Sequence, residues 1–325
     1  MIARRSFIAG SLALLSRPAW PQERKAERIV RVGVLDPQPL AINAGNLEQL
    51  RKGLRGAGYS EGRNLAIEYR ASDGRAGRYG SLAQELGSAG VDVLIARGTQ
   101  AALGARNVMR DIPIVALGVN DPVDTGLVES LERPGGNVTG IAFLIKDLET
   151  RRVDVLRALA PKTRRVVGLM NMGNPAIAHA WKMAEEAARG FKLDTLLVDV
   201  RKRSQIEPGF DTVREGDAVV VQLGTLGATQ RQSVVELAAH HRLPAIYTAR
   251  QYVDAGGLVS YGLDAAQLFF RAATFVDKLV KGAKPGDLPV EQSTKFELVI
   301  NRKTANALGL AVPPTLLAQG DETIE

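Results

Sequence analysis

The chain has 325 residues, 45% of them hydrophobic, a formal net charge of +7 and no cysteine. That length and apolar content suit two lobes with separate cores and exclude wholesale disorder, and the lack of cysteine excludes disulfides, thiolate metal sites and lipid attachment through an N-terminal Cys. The charge argues little for a nucleic-acid partner, because Arg4, Arg5, Arg17, Arg24 and Lys25 face a single acid, Glu23, within residues 1–25. The rest carries 37 basic against 34 acidic groups, or +3.

The first residues, "MIARRSFIAGSLALLSRPAWPQ", carry a twin arginine and then an apolar run from Phe7 to Leu15. This reads as a twin-arginine export signal over 1–25, too short to span a bilayer and cleaved somewhere between Ser16 and Ala26. A soluble periplasmic protein is the expectation. Beyond it, strand-like runs alternate with amphipathic helical stretches. Strands are predicted at 29–36, 65–70, 91–96, 112–117, 164–170, 193–200, 217–223, 243–248 and 257–262. Several are apolar on consecutive positions, as in strands covered by helices on both faces, so the fold class is α/β with doubly wound parallel sheets.

The helix predicted from about 43 to 57 has an apolar stripe of Leu47, Leu50 and Leu54, and Gly56, Gly58 and Gly62 stop it. Those glycines close a helix, whereas a dinucleotide fingerprint must open one after a strand. The stretch "VDVLIARGTQAALGARN", 91–107, runs a strand into a helix across Arg97, Gly98, Thr99 and Gln100. Free backbone N–H groups and the positive end of the helix dipole at Thr99 favour an anion such as a ligand carboxylate, or Thr99 merely caps its own helix. No Lys and hydroxyl follow as a phosphate loop demands.

The unit count suggests two lobes, with "LERPGGNVTGIAF" ending the first and "LETRRVDVLRALAP" opening the second. In open parallel sheets ligands bind beyond the strand carboxyl ends, and those ends are rich in polar groups: Gln38, Asn120 and Asp121, Asn171 and Asn174, Gly224 and Thr225, Tyr247 and Arg250, Tyr261 and Asp264. Each also has an ordinary reading: Asp121-Pro122 and Asn174-Pro175 as turns or helix starts, Tyr247 as core, Arg250 as a surface charge. His179, His240 and His241 read as surface or helix-end residues. No GxSxG, HExxH or close carboxylate pair marks a catalytic centre, so neither an enzyme nor a metal or cofactor site is expected.

The segments "DPVDTGLVESLERPGGNVTG" (121–140), "HRLPAIY" (241–247), "YVDAGGLVSYGLD" (252–264) and "DLPVEQSTKFELVINRKTANALGLAVPPTLL" (287–317) resemble the ABC transporter substrate-binding proteins of the tryptophan/tyrosine-binding group, collinearly from Ile29 to Glu325. The resemblance implies a type I periplasmic binding fold with three hinge crossings, one lobe from 29–141 plus 263–290 and the other from 142–262 plus 291–325. A helix over 264–282 would return to the first lobe, and "FELVINRKTANALG" would join the second. It implies a monomer that captures a small organic solute, with a membrane permease and its ATPase as partners and no nucleic acid or ATP bound by this chain. The ligand carboxylate would lie near Gly98, Thr99 and Gln100. Many relatives place Asp after the strand 217–223 to hold an ammonium, but Gly224-Thr225 stands here, leaving Asp264 or Asp121 as substitutes or the ligand without an amine. Two other classes compete. A sugar-type transcription regulator needs a DNA-binding helix-turn-helix where the leader stands, and an α/β enzyme needs a nucleophile and base at the strand tips.

Overall fold

The computed structural model describes residues 28–293 and 296–325, so the expected export stretch, 1–25, lies outside the described residues. The first lobe is built from β1 (Val30–Asp36), α1 (Leu40–Gly56), β2 (Leu65–Ala71), α2 (Tyr79–Ser88), β3 (Val93–Arg97), α3 (Thr99–Val108), β4 (Ile114–Asn120) and β5 (Val138–Phe143). The second takes α4 (Ile145–Leu159), β6 (Arg165–Met170), α5 (Pro175–Gly190), β7 (Asp194–Asp199), α6 (Ile206–Phe210), β8 (Asp217–Gln222), α7 (Gly224–Thr229), α8 (Arg231–His240), β9 (Ala245–Tyr247), α9 (Arg250–Asp254) and β10 (Val259–Leu263). The remaining elements are α10 (Ala265–Val280), β11 (Glu291–Gln292), β12 (Phe296–Asn301), α11 (Arg302–Ala307), α12 (Pro314–Leu317) and β13 (Glu322–Ile324).

Two α/β sheets result. Among the described residues the first has the order β11-β5-β4-β3-β1-β2 and the second β13-β12-β10-β9-β8-β6-β7. Strand pairs are parallel except β10 with β12, where Val259 lies opposite Ile300 in an antiparallel ladder. That departure from a fully parallel sheet follows from the path: β10 runs toward the first lobe and β12 runs back from it. Glu291 and Gln292 pair with Ile141 and Ala142, so the first sheet keeps the chain two residues longer than expected.

Consecutive apolar residues in the central strands feed separate cores on opposite faces. In the first lobe Leu94, Ala96, Ile114 and Ala116 pack with α2 and α3, and Val93, Ile95, Val115 and Leu117 pack with α1 and α10. The stripe Leu268, Phe269, Ala272, Val276 and Leu279 docks α10 on this sheet, each large side chain contributing about 1.5–3 kcal/mol by leaving water. The two helices touch at Gly53, where an added Cβ would meet Ala273 Cβ and the Phe270 carbonyl at 2.7 Å, so only glycine fits. In the second lobe the same alternation sends Val166, Val220 and Ile246 toward α4 and α5 and Val167, Val219 and Tyr247 toward α6 and α8. The chain passes between sheets after Phe143, after Leu263 and between Gln292 and Phe296. Phe143, Ile145, Leu148 and Ala180 form a small apolar cluster there with Tyr261, Leu263 and Phe296 packed on it. No helix among the described residues is long and apolar enough to cross a membrane.

Candidate functional site

The strand tips of the two lobes face one another. Thr225, just after β8, donates from its hydroxyl to the Pro37 carbonyl beyond β1 at 3.2 Å. Its Cβ lies so near Gly74, beyond β2, that a Cβ on that glycine would sit 2.9 Å away. Further along, His179 Nε2 on α5 is 3.8 Å from Asp121 Oδ2 at the end of β4. The ends of β1, β2 and β4 thus approach the end of β8 and helix α5 of the other lobe, the side of an open sheet on which ligands bind.

At the first-lobe tip, the helix cap is Gly98, at φ 87°, and not Thr99. Thr99 is the first helical residue, and its hydroxyl donates to Asn120 Oδ1 and accepts from Asn120 N at 3.1 Å. The capping alternative thus gives way to a tie between α3 and the end of β4. The first intrahelical bond is Ala102 N to Gly98 O, which leaves the N–H groups of Thr99, Gln100 and Ala101 without helical acceptors. Thr99 and Asn120 are each only 8% exposed, and the Asn120 side-chain N–H2 has no hydrogen-bond partner among the described residues. Asp121 follows in a left-handed conformation, φ 42°, uncommon outside glycine and concentrated at functional positions. Burial pushes its carboxyl up from the usual range, against the pull of His179.

Sequence reasoning missed the network behind this tip. Asp36, fully buried at the end of β1, receives Arg97 Nε and Nη2 at 2.6 Å each, Asn43 Nδ2 at 2.9 Å and the Gln38 backbone N–H at 2.8 Å. Tyr69 donates to the Gln38 carbonyl at 2.7 Å and accepts from Asn43 at 3.2 Å. Burial works against the Arg97 charge, but Asp36 outweighs it and holds the guanidinium above its ordinary range. Burial and Asp36 both push the Tyr69 phenol up. The side chains of Gln38 and Gln100 are partly buried and make no hydrogen bond among the described residues.

The second lobe divides the expected residues differently. Asn171 accepts from Gly173 N at 3.2 Å within its own turn, Asn174 caps α5 through Ala176 N, and Asp264 caps α10 through Gln267 N. Tyr247 is 1% exposed and stacks on Tyr252 with ring centroids 4.8 Å apart, so it belongs to the core and lines no cleft. Arg250 is committed to Glu297 at 3.0 Å and Glu322 at 2.9 Å, and so is not a free cation for a ligand. Tyr261 lies at the crossing, tilted on Phe296 at 5.5 Å. Gly224, at φ 56°, opens α7 and turns Thr225 toward Pro37. Beneath the β8 tip, buried Glu149 binds Arg152 and accepts from Gln222 Nε2 at 2.8 Å, and Arg152 Nε reaches the Tyr261 carbonyl at 2.7 Å. Burial pushes the Glu149 carboxyl up despite both partners.

At the first-lobe tip the α3 N–H groups and the Asn120 amide are hydrogen-bond donors without acceptors among the described residues. Among the described residues no His, Cys, Asp and Glu side chains cluster as a metal site. A surface depression of about 640 Å³ beside Lys202, Arg203 and Glu207 includes none of the strand-tip residues expected to bind ligand.

Comparison with known proteins bears on this site. Residues 40–324 match the family described as ABC transporter substrate binding protein. A relative described as a tyrosine-binding protein of Clostridioides difficile is 26% identical over 270 residues, which cover 82% of this chain and 78% of that protein. A solved domain from Streptococcus pneumoniae in complex with L-Trp superposes with a TM-score of 0.82 at 24% identity, covering 91% of this chain and all of that one. A ligand-free, open substrate-binding protein from Clostridium difficile gives 0.67 at 22% identity over 91% of this chain and 99% of its own.

Proposed function

The chain belongs to the ABC transporter substrate binding protein family, and we propose that the solute it captures between its lobes bears a carboxylate and is amino-acid-like or aromatic. The observation that carries this reading is the pairing of the α3 N-terminus with the buried Asn120 amide, whose nitrogen is left free to donate because Thr99 occupies its oxygen. Backbone N–H groups and the dipole of a ten-residue helix supply about half a unit of positive charge there. Asn120 adds a neutral donor at the same place. The names of the tyrosine-binding relative and of the L-Trp complex support an aromatic amino acid as the first class to test.

On this reading the free solute meets the first lobe, and Thr225 and Asn171 swing over it. Enclosure removes water, so charge-assisted bonds at α3 strengthen. The closed form is then the one a permease recognises, with a cytoplasmic ATPase driving import, the chain acting as an exported monomer without turnover of its ligand. A thermal-shift screen over amino acids, aromatic acids and short organic acids tests it. A ligand at 100 times its dissociation constant adds about 2.7 kcal/mol of stability, so a true ligand raises the melting temperature by several degrees. Response only to solutes without a carboxylate, or steady conversion of any of them, would overturn the reading.

A further inference from the structure

The arginines at the strand tips are each matched by a carboxylate of their own lobe. Arg152 is held by Glu149, Arg250 by Glu297 and Glu322, and Arg201 by Asp199 at 2.7 Å. Arg97 is the one nearest in sequence to the α3 N-terminus, where the solute carboxylate is proposed to lie, with Gly98 alone between it and Thr99. Its side chain remains 20% exposed, and Nη1 has no hydrogen-bond partner among the described residues. An unopposed guanidinium in that position would add a full positive charge to the partial one of the α3 N-terminus, and the site would favour solutes of net negative charge. Asp36 removes that charge. It is fully buried, its two oxygens accept four hydrogen bonds, and two of these form a bidentate fork on Arg97 that only a carboxylate can complete.

We propose that Asp36 is a specificity residue: by cancelling Arg97 it leaves the cleft with only the attraction of a helix N-terminus and an amide, so that net-neutral zwitterions are selected over the corresponding free acids. The inference rests on the reading above that the solute carboxylate lies at α3. The selectivity is exerted through Arg97, with Asp36 itself positioned behind the site and away from the ligand. Nothing covalent changes. The discrimination is a difference in electrostatic work between two solutes that share a carboxylate and a ring and differ in one ammonium group.

Calorimetric titration of L-tyrosine and of 3-(4-hydroxyphenyl)propionate tests it, on the wild type, Asp36→Asn, Arg97→Gln and the double variant. Asp36→Asn exposes the Arg97 charge and should improve the acid relative to tyrosine by about tenfold at low salt, the order expected of a partly screened unit charge. The gain should fade as salt rises. Arg97→Gln leaves Asp36 unopposed and should move the ratio the other way, which keeps the test open if the first variant folds poorly. The double variant should return the ratio to the wild-type value. A loss of packing alone would weaken both solutes alike and leave the ratio and its salt dependence in place, and that result overturns the proposal. So does an Asp36→Asn variant that still binds tyrosine but gains nothing for the acid. Whether the wild type binds either solute answers separately for the carboxylate reading.

Discussion

Gly74→Ala gives a direct test of whether the lobes must close to hold a solute. Gly74 sits at φ 75° beyond β2, and a Cβ built on it would lie 2.9 Å from Thr225 Cβ across the cleft. Carbon atoms rest at about 3.5–4.0 Å, so the lobes must draw apart by about 0.6–1.1 Å. The Thr225 hydroxyl, 3.2 Å from the Pro37 carbonyl, then loses its bond, worth about 0.5–1.5 kcal/mol. At 1.4 kcal/mol per tenfold this weakens binding by roughly 2- to 12-fold. Alanine also pays about 1–2 kcal/mol for a left-handed backbone, which must be separated from closure. Gly58→Ala provides that control, since Gly58 has φ 93° and nothing within 4 Å of an added Cβ.

Both variants should lower the melting temperature by a similar amount, but only Gly74→Ala should weaken the solute identified by thermal shift and enlarge the radius of gyration of the liganded protein in small-angle scattering. Thr225→Gly, compared with and without Gly74→Ala, removes the opposing carbon and should abolish the difference. Equal dissociation constants for Gly74→Ala and Gly58→Ala would refute the idea that Thr225 closes against the first lobe when solute binds.

Thr99→Ala should cost about 1 kcal/mol of stability through the lost bonds to Asn120 and weaken the solute, whereas Thr99→Ser keeps both; equal dissociation constants for the two variants would count against the Asn120 amide as a ligand group. Asp121 has its carboxyl pKa raised by burial, so its ionisation disfavours the folded state: the stability is fully present below the ordinary value near 3.8 and is lost as pH rises through the folded pKa. Asp121→Asn should therefore melt no lower than the wild type at pH 7, by a margin well under about 1 kcal/mol because the group is partly solvated, and the margin should vanish below pH 4; a lower melting point at pH 7 would contradict this. Gly168→Ala would place a carbon 2.3 Å from the Trp181 ring and should destabilise the second lobe by about 1–3 kcal/mol in chemical denaturation; a change under about 0.5 kcal/mol would show that Trp181 moves freely.

Much of the fold was legible because buried strands and their covering helices leave a periodic trace. The runs that became β3, β4 and β8 are apolar on both faces, and α10 carries its stripe at helical spacing. The antiparallel β12 left no such trace, since direction depends on where the chain re-enters the sheet. The same alternation that found β9 also settles Tyr247. It shares a face with Ala245, against α8, while Ile246 points to the opposite core. Asn174 and Asp264 stand directly before helices, the position that caps occupy. What periodicity cannot carry is partnership between distant charges. Arg97 meets Asp36 from 61 positions away and Gln222 meets Glu149 from 73 away, and no local pattern announces either.

On the proposed function the lobes must both meet and part, and those pairings bear on how they could. If Arg97, Arg152 and Arg250 reached across the cleft, closure would be locked by charge without any solute. Instead each is satisfied inside its own lobe. The polar contacts described between opposing tips are one hydroxyl bond of 3.2 Å and one His–Asp approach of 3.8 Å, together worth about 0.5–2.5 kcal/mol at most. The apolar contact at the crossing, around Phe143 and Tyr261, is gathered at the hinge, where it can persist as the tips separate. A closed form favoured by so little is returned to the open one by modest strain, and a solute that bonds both lobes tips the balance by the difference in its affinity for the two forms. Charge cancelled within each lobe is thus the condition under which closure reports the presence of a ligand.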